Sequence, residues 1–378
     1  MFATTVLFLP LCLHVFHVVQ WSLGMRRALD PALPTPLKND SQLKLSVVLP
    51  VRNEADTLPL LLADLATQTH LPHDVVVVDD DSDDGTIEAA QSAGPWPFPL
   101  RVMPNPGQGK KAGLSAGLHS ATSEWAVGVD ADTRIGPHAL SAMAQGIECQ
   151  AQSKDLLLLP LRLATEPEAP PQTGFHRLQA LDFAAMQGWA VSAVRQGRPA
   201  MASGGGWIWR VAAFPHGELK PHIPSGDDVF ALAALIERGD QHRVGWLGNP
   251  DAMVSAAPMY TLSSLVDQRI RWGAKATQYP KALKSARRVA LSISAMHLTG
   301  LLLLLIYPLW GLVFWGIKSG VDMAYAHQVG RIYSLFKVNR KSILGTLLSL
   351  AIVHPLFIAT TLILMPFRNV QWKGRSAL

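Results

Sequence analysis

The chain has 378 residues, of which 49% are hydrophobic and only 16% charged, and its 33 lysines and arginines against 28 acids leave a net charge of +5. That size holds one large folded domain and something more apolar beside it, in keeping with a positive mean hydropathy of +0.18. Two cysteines, Cys12 and Cys149, exclude a disulfide framework and a cysteine-based metal site, and basic residues gathered beside the apolar ends (Arg26, Arg27, Arg287, Arg288) favour an anionic membrane surface over nucleic acid.

Residues 5–23 form an apolar run of about the ~20 residues that cross a bilayer. No basic residue precedes it and Arg26 and Arg27 follow it, so charge bias puts the N-terminus outside and residue 26 onward in the cytoplasm. The competing reading, a cleaved signal peptide, lacks a charged leading segment and a small-residue cleavage site. Residues 1–24 are therefore read as a transmembrane anchor, and residues 25–42, with Pro31, Pro34 and Pro36, as a stiff linker.

Residues 43–286 alternate strand-like and helix-like stretches. The runs 45–50 and 75–78 predict buried strands, and 57–67 predicts a helix with leucines on one face. Continuous apolar strands separated by helices imply an α/β domain whose mostly parallel sheet is covered on both faces, with ligands beyond the carboxyl ends of the strands. Polar residues do follow the strands: Asn53 and Glu54, then Asp79, Asp80 and Asp81, then Asp130 and Asp132. The last two are spaced i, i+2 after the run 125–129, so both carboxylates point to one side. Such oxygens suit Mg²⁺ or Mn²⁺ shared with a substrate's phosphates; an isolated pair is as readily a polar strand end.

Beyond the soluble region, 289–317 and 343–365 are apolar enough for membrane segments. Tyr307-Pro308 interrupts the first, which is either one tilted helix or a hairpin of two short ones. The basic stretches 318–342 and 368–375 cannot both be cytoplasmic if each segment crosses once, and 323–336 has the mixed character of a helix lying on the membrane surface. Residues 287–378 are thus read as a membrane region of two or three transmembrane or interfacial helices.

The order of motifs across roughly residues 45–276 resembles the family-2 glycosyltransferases, inverting enzymes with a Rossmann-like GT-A fold. The strings Val48–Glu54, Val77–Thr86, Gly109–Leu114, Asp130-Ala131-Asp132, Ser225–Asp228 and Gln268–Trp272 are similar, in that order, to the family's first and second strand turns, its lysine-bearing helix start, its DxD metal motif, its acidic base motif and QxxRW. The resemblance implies a nucleotide-sugar donor, UDP-linked, at Pro50, Asn53, Glu54, Asp79, Asp80, Lys110 and Asp130, and a divalent cation at Asp130 and Asp132. It implies Asp228 as the base that takes the acceptor hydroxyl's proton, with Asp227 as alternate. Gln268, Arg271 and Trp272 would then face the acceptor and the pyrophosphate.

Each position also has an ordinary structural reading. Lys111 suits a solvated helix end, Asp83 and Asp84 an Asx-turn and helix cap, and the 227–228 pair a helix N-cap. Where many members of the family carry Gly-x-Asn, this chain has Ser203-Gly204-Gly205-Gly206, which puts Gly205 and Gly206 where acceptor contacts are expected. His222 is a candidate pocket residue, with a surface role favoured, and Trp372–Arg375 is similar to a basic-aromatic tail of lipid-glycosylating members or is an interfacial anchor. The expectation is an integral protein of the bacterial inner membrane with a cytoplasmic catalytic domain, moving a sugar to a lipid acceptor. A processive polysaccharide synthase and an inactive nucleotide-sugar-binding membrane protein are the alternatives.

Overall fold

The computed structural model describes residues 7–25, 41–164, 173–220, 223, 225–274, 278–333, 340–368, 370–373 and 375–376. Most of the proline-rich linker and His222 lie outside the described residues. In chain order the regular elements begin with helix α1 (Leu9–Met25), strand β1 (Leu45–Val51), α2 (Leu58–Ala66), β2 (Asp74–Asp79), α3 (Thr86–Ser92), β3 (Leu100–Pro104), α4 (Lys110–Ser120), β4 (Trp125–Val129), β5 (Thr133–Ile135) and α5 (Ala139–Gln150). There follow β6 (Leu156–Leu158), β7 (Leu161–Leu163), α6 (Gly174–Arg195), β8 (Gly206–Arg210), α7 (Asp227–Glu237), β9 (Val244–Trp246) and β10 (Val254–Ala256). The remainder is α8 (Leu262–Ala274), α9 (Lys284–Ile306), α10 (Pro308–Ile332), α11 (Arg340–Leu364), β11 (Gln371–Trp372) and β12 (Arg375–Ser376).

Seven strands form the central sheet in the order β3-β2-β1-β4-β8-β6-β9. β1 runs parallel to both β2 and β4, whereas β8 is antiparallel to β4 and β6, so the sheet is mixed, with its parallel half made by the first four strands in sequence. Those strands read as unbroken apolar runs because both faces are covered; the valines of β2 are fully buried. The order turns back on itself between β1 and β4, which opens a crevice beyond their carboxyl ends. Pro50 sits at that opening: β1 pairs with β4 only as far as Val48↔Gly128, so the missing N–H of Pro50 falls past the end of that ladder. A second sheet, β5-β10-β7, lies beside the first.

The apolar ends form a helical layer. Tyr307 breaks the segment 289–317 into α9 and α10, a hairpin whose close approach depends on glycine: a Cβ on Gly311 would lie 2.6 Å from the backbone of Leu304. These helices are longer than the short pair the sequence suggested, and α10 continues to Ile332. The surface-helix expectation for 323–336 fails over its described part, since Tyr325, Ala326 and Val329 are buried and Tyr325 donates its hydroxyl to the Ala185 carbonyl of α6, 3.0 Å away. Helix α1 packs beside α10, where His14 meets Asp322 at 2.7 Å and Lys318 meets the same carboxylate at 2.8 Å, so the buried charge is paired. Among the described residues, Lys281–Ile306 and Gly345–Phe367 are long and apolar enough to cross a membrane, and Leu9–Met25 is a shorter apolar helix. Leu291, Leu298, Leu305, Leu309 and Leu312 are exposed on this layer.

Candidate active site

Two glycines set the helix ends that face the crevice. Gly109 (φ +82°) and Gly226 (φ +85°) turn the chain immediately before α4 and α7, a backbone region L side chains rarely adopt. The turns place Lys110 and the pair Asp227 and Asp228 at helix N-termini, where the partial positive charge favours carboxylates. Gly226 is itself the N-cap residue, and Asp228 Oδ1 accepts from the Val229 N–H at 2.7 Å. The N-cap reading of the acidic pair is replaced by a first-turn position. Beside the two carboxylates lies a recess whose lining includes Trp207, Trp209, Phe214 and Ala231.

Lys110 ties the site together. Its Nζ donates to Asp130 Oδ1 at 2.5 Å and to the Gly204 carbonyl at 3.3 Å, and lies 3.3 Å from Asp227 Oδ2. Burial alone would push the ammonium toward neutrality, but Asp130, Asp227 and Asp228 outweigh it and hold it charged well above its ordinary range. Arg271 enters from α8 and feels Asp130, Asp132, Asp227 and Asp228 together, while burial acts the other way and pulls its guanidinium down. Asp132 keeps an exposed side chain, yet protein displaces water around it and Asp130 and Glu54 add like charge, so its carboxyl is pushed up to about 6. Tyr279, beside Asp228, is pushed up to about 12 by burial and by that carboxylate. Lys111 is no solvated helix end: it is buried, donates to the carbonyls of Lys220 and Ile223 at 3.0 and 2.9 Å, and lies over the Phe230 ring.

The residues after β1 and β2 form a cross-braced loop. Asn53 (φ +52°) donates from Nδ2 to Asp83 at 2.8 Å and accepts from the Asp83 N–H at 3.1 Å. Asp79 accepts from the Ser82 hydroxyl at 2.5 Å, and Asp84 accepts the N–H of Thr86 at 3.0 Å, an Asx-turn into α3. Asp80 is buried, and its Oδ1 accepts from Asn105 Nδ2 at 2.8 Å and the Gly109 N–H at 2.9 Å, holding the loop that presents Lys110. Pro50 packs under α4, where a Cβ on Gly113 would come within 3.1 Å of it. Glu54 accepts from the Thr57 hydroxyl at 2.6 Å and pairs with Lys373. The same Lys373 ammonium donates to the Arg52 carbonyl at 2.7 Å, and Arg52 Nε donates back to the Lys373 carbonyl at 3.3 Å. Sequence reasoning offered no route from residue 373 to residue 54.

On the other wall, Gly204 also borders the site: a Cβ there would lie 3.1 Å from Lys110 Nζ and 3.3 Å from Asp227 Oδ2. Gly205 borders Asp130, whereas Gly206 belongs to β8 and its absent Cβ would meet Leu161 and Leu159. Of the QxxRW residues only Arg271 faces the carboxylates. Trp272 packs near Phe183 and beneath the Arg269 guanidinium, 4.4 Å away, and Gln268 Oε1 accepts from Arg269 at 2.9 Å. The Arg269–Asp182 ion pair at 2.6 Å was not foreseen, and burial of Asp182 is outweighed by Arg269 and His354, which hold its carboxyl well below the usual range.

Residues 46–151, from β1 through α5, match Glycosyl transferase family 2. The chain carries a family-2 glycosyltransferase domain. The matched segment of this glycosyltransferase domain holds Asp130, Asp132 and Lys110 and stops before Asp227. Among curated relatives, an undecaprenyl-phosphate 4-deoxy-4-formamido-L-arabinose transferase of Yersinia enterocolitica is 27% identical over 110 residues, 28% of this chain and 34% of that protein. A 4,4'-diaponeurosporenoate glycosyltransferase of Staphylococcus haemolyticus is 30% identical over 126 residues, 32% of this chain and 33% of its own length. The chain thus spans about a third of the curated relatives it matches. In fold, it is similar to the mannosyltransferase PcManGT of Pyrobaculum calidifontis, solved with GDP-Man and Mn²⁺, with a TM-score of 0.56 at 16% identity over 96% of this chain and 99% of that one. The expected GT-A architecture, a mostly parallel sheet with apolar helices C-terminal to it, is the fold of the glycosyltransferase domain and its flanks.

Proposed function

We propose that the chain is a membrane-anchored inverting glycosyltransferase that moves one sugar from a nucleotide donor, UDP-linked, to a lipid acceptor at the cytoplasmic leaflet. The observation that carries this reading is the convergence of Asp130, Asp227 and Asp228 on one ammonium, Lys110, with Arg271 opposite them, at the mouth of the β1–β4 crevice. The matched relatives are named for undecaprenyl phosphate and diaponeurosporenoate, both lipidic partners, and the exposed leucines of α9 and α10 supply a surface that would sit in lipid.

Asp130 and Asp132 fit a divalent cation. They are two oxygen donors in the turn after β4, where displaced water first and then the like charge of Asp130 and Glu54 push the Asp132 carboxyl up to about 6, and a cation would relieve the like charge. No group of three or more histidine, cysteine or acidic side chains among the described residues forms a metal cluster, so the protein offers two carboxylates and leaves other positions to the donor's phosphates. When bound, such an ion would offset the charge of the departing diphosphate. Lys110 and Arg271 add fixed positive charge at the same place, which favours the transition state over the ground state. Asp228 takes the proton of the attacking hydroxyl, and Asp227 pairs with Lys110 beside it.

The test is transfer from a panel of radiolabelled nucleotide sugars into organic-extractable lipid by membranes carrying the wild type or Asp228→Asn, with and without chelator. Label in a lipid bearing a single sugar, lost in the variant and with chelator, is expected. Label found only in insoluble polymer would replace this reading with a processive synthase, and donor binding without incorporation would replace it with a nucleotide-sugar-binding protein.

A further inference from the structure

Strands β11 and β12 form a hairpin in which Trp372 pairs with Arg375, so Lys373 stands at its turn. The approach to it is fixed on α8: Arg368 pairs with Asp267 at 2.6 Å, and Val370 is buried with Val266 and Ile270. From there Lys373 reaches the carboxyl end of β1. Its ammonium donates to the Arg52 carbonyl at 2.7 Å and the Asn53 carbonyl at 3.4 Å, and pairs with Glu54. Its own carbonyl accepts from Arg52 Nε at 3.3 Å, and the same guanidinium donates from Nη1 to the carbonyls of Asp80 at 2.5 Å and Asp81 at 3.0 Å. One residue thus holds the loop after β1 and, through Arg52, the loop after β2.

Backbone geometry marks the same place. Among the described residues four that are not glycine have positive φ, and three of them meet here: Asn53 at +52°, Asp81 at +57° and Lys373 at +48°. Asn and Asp tolerate that region, but a lysine rarely adopts it, and such conformations persist where surrounding contacts over-determine them, as at ligand clamps. The side chains of Lys373 and Glu54 are 20% and 13% exposed. Both charges reach Asp132, Glu54 pushing its carboxyl up and Lys373 pulling it down. The contact therefore lies against the β1–β4 crevice, where the turn-back of strand order places a ligand.

We propose that Lys373 is a positioning residue for the nucleotide: it clamps the loops after β1 and β2 into one wall of the crevice, while its charge competes with a divalent cation for the neighbouring carboxylates. This rests on the reading of the chain as a nucleotide-sugar-dependent transferase. The two effects have opposite signs. Without the ammonium, two carbonyls and Glu54 lose their common donor, and the nucleotide must order the loops as it binds. A cation meets a more negative site. A merely structural loss would weaken both.

The experiment uses the full chain in lipid nanodiscs, with Mn²⁺ titrated in the absence of nucleotide, and UDP and GDP titrated at saturating Mn²⁺. Lys373→Met is expected to raise the Kd of the nucleotide that the wild type binds about tenfold, the scale of one charged hydrogen bond. It is expected to lower the Mn²⁺ Kd about two- to fivefold, the scale of a screened charge pair. Arg52→Gln leaves the ammonium in place and cuts the bridge to Asp80 and Asp81; it is expected to raise the nucleotide Kd in the same sense, with the Mn²⁺ Kd unchanged. Should Lys373→Met fail to fold, Arg52→Gln decides. Unchanged nucleotide affinity in either folded variant, or nucleotide and Mn²⁺ affinities of Lys373→Met falling together, would overturn the role. A wild type that binds Mn²⁺ but neither nucleotide would sink the functional reading and this role with it, an outcome distinct from a nucleotide-binding wild type with indifferent variants.

Discussion

Replacing Lys110 by methionine keeps the length of the side chain and removes the ammonium that touches both Asp130 and Asp227. Two effects of opposite sign should follow. With no donor bound, Lys110 and a divalent cation compete for Asp130, so the variant should bind Mn²⁺ more tightly than wild type. A hydrogen bond to a charged group contributes about 1.5–3 kcal/mol. The Lys110 side chain is 20% exposed, and solvent screening brings the value to the lower end. At ~1.4 kcal/mol per decade that is about a tenfold fall in the Mn²⁺ Kd. Transfer should move the other way, by ~10²–10³, the usual effect of deleting one group that stabilises developing negative charge. Mn²⁺ titration of the purified chain by electron paramagnetic resonance, beside an initial-rate assay, reads both. Unchanged or weaker cation binding would refute the competition; tighter binding with full activity would refute the role assigned to the ammonium in transfer.

Three further outcomes are expected. Asp228→Asn should slow transfer by about 10²–10⁴ with donor affinity unchanged, since general-base removal acts on the chemical step; equilibrium binding of a labelled nucleotide checks the second half. The Asp132 carboxyl, pushed up to about 6, is about nine-tenths ionised at pH 7 and about one-tenth at pH 5, and only the ionised form serves as a metal ligand. Cation affinity should therefore fall as pH drops through 6, and Asp132→Asn should flatten that dependence in the same titration. Gly128→Ala would set a Cβ 2.0 Å from the buried Trp207 ring, so overpacking of about 1–3 kcal/mol should appear as a lower melting temperature of the purified chain.

What could be read in advance was local. The valine runs of β1 and β2 announced buried strands because a parallel sheet covers both faces, and the helix expected over 57–67 forms as α2, Leu58–Ala66. The aspartates after β4 and the acids that open α7 were legible because strand ends and helix starts carry turn chemistry near in sequence. Partner choice across long distances was not. Nothing around Lys373 names Glu54, and nothing in the amphipathic α6 distinguishes Asp182 from a solvated acid until α8 and α11 close over it. The segment 323–332 misled because its mix of basic and apolar residues fits a membrane surface as well as a groove beside α6; packing decided. Asp80, read as a donor contact, accepts two bonds from the Lys110 loop, a use visible only once Asn105 and Gly109 are brought to it.

Helix α11 leads within a few residues to Lys373, whose ammonium is bonded to the Arg52 carbonyl and to Glu54. Gly345–Phe367 is long and apolar enough to cross a membrane, and on the proposed reading it would answer a thicker or thinner bilayer by tilting, at a cost of fractions of a kcal/mol per ångström. Tilt of that helix would then pull on a tether that ends beside Arg52 and Glu54, at the rim of the proposed donor site. On that reading, acyl-chain length of the host membrane is expected to set donor affinity, so nucleotide Kd should differ between the protein reconstituted in short- and in long-chain lipids.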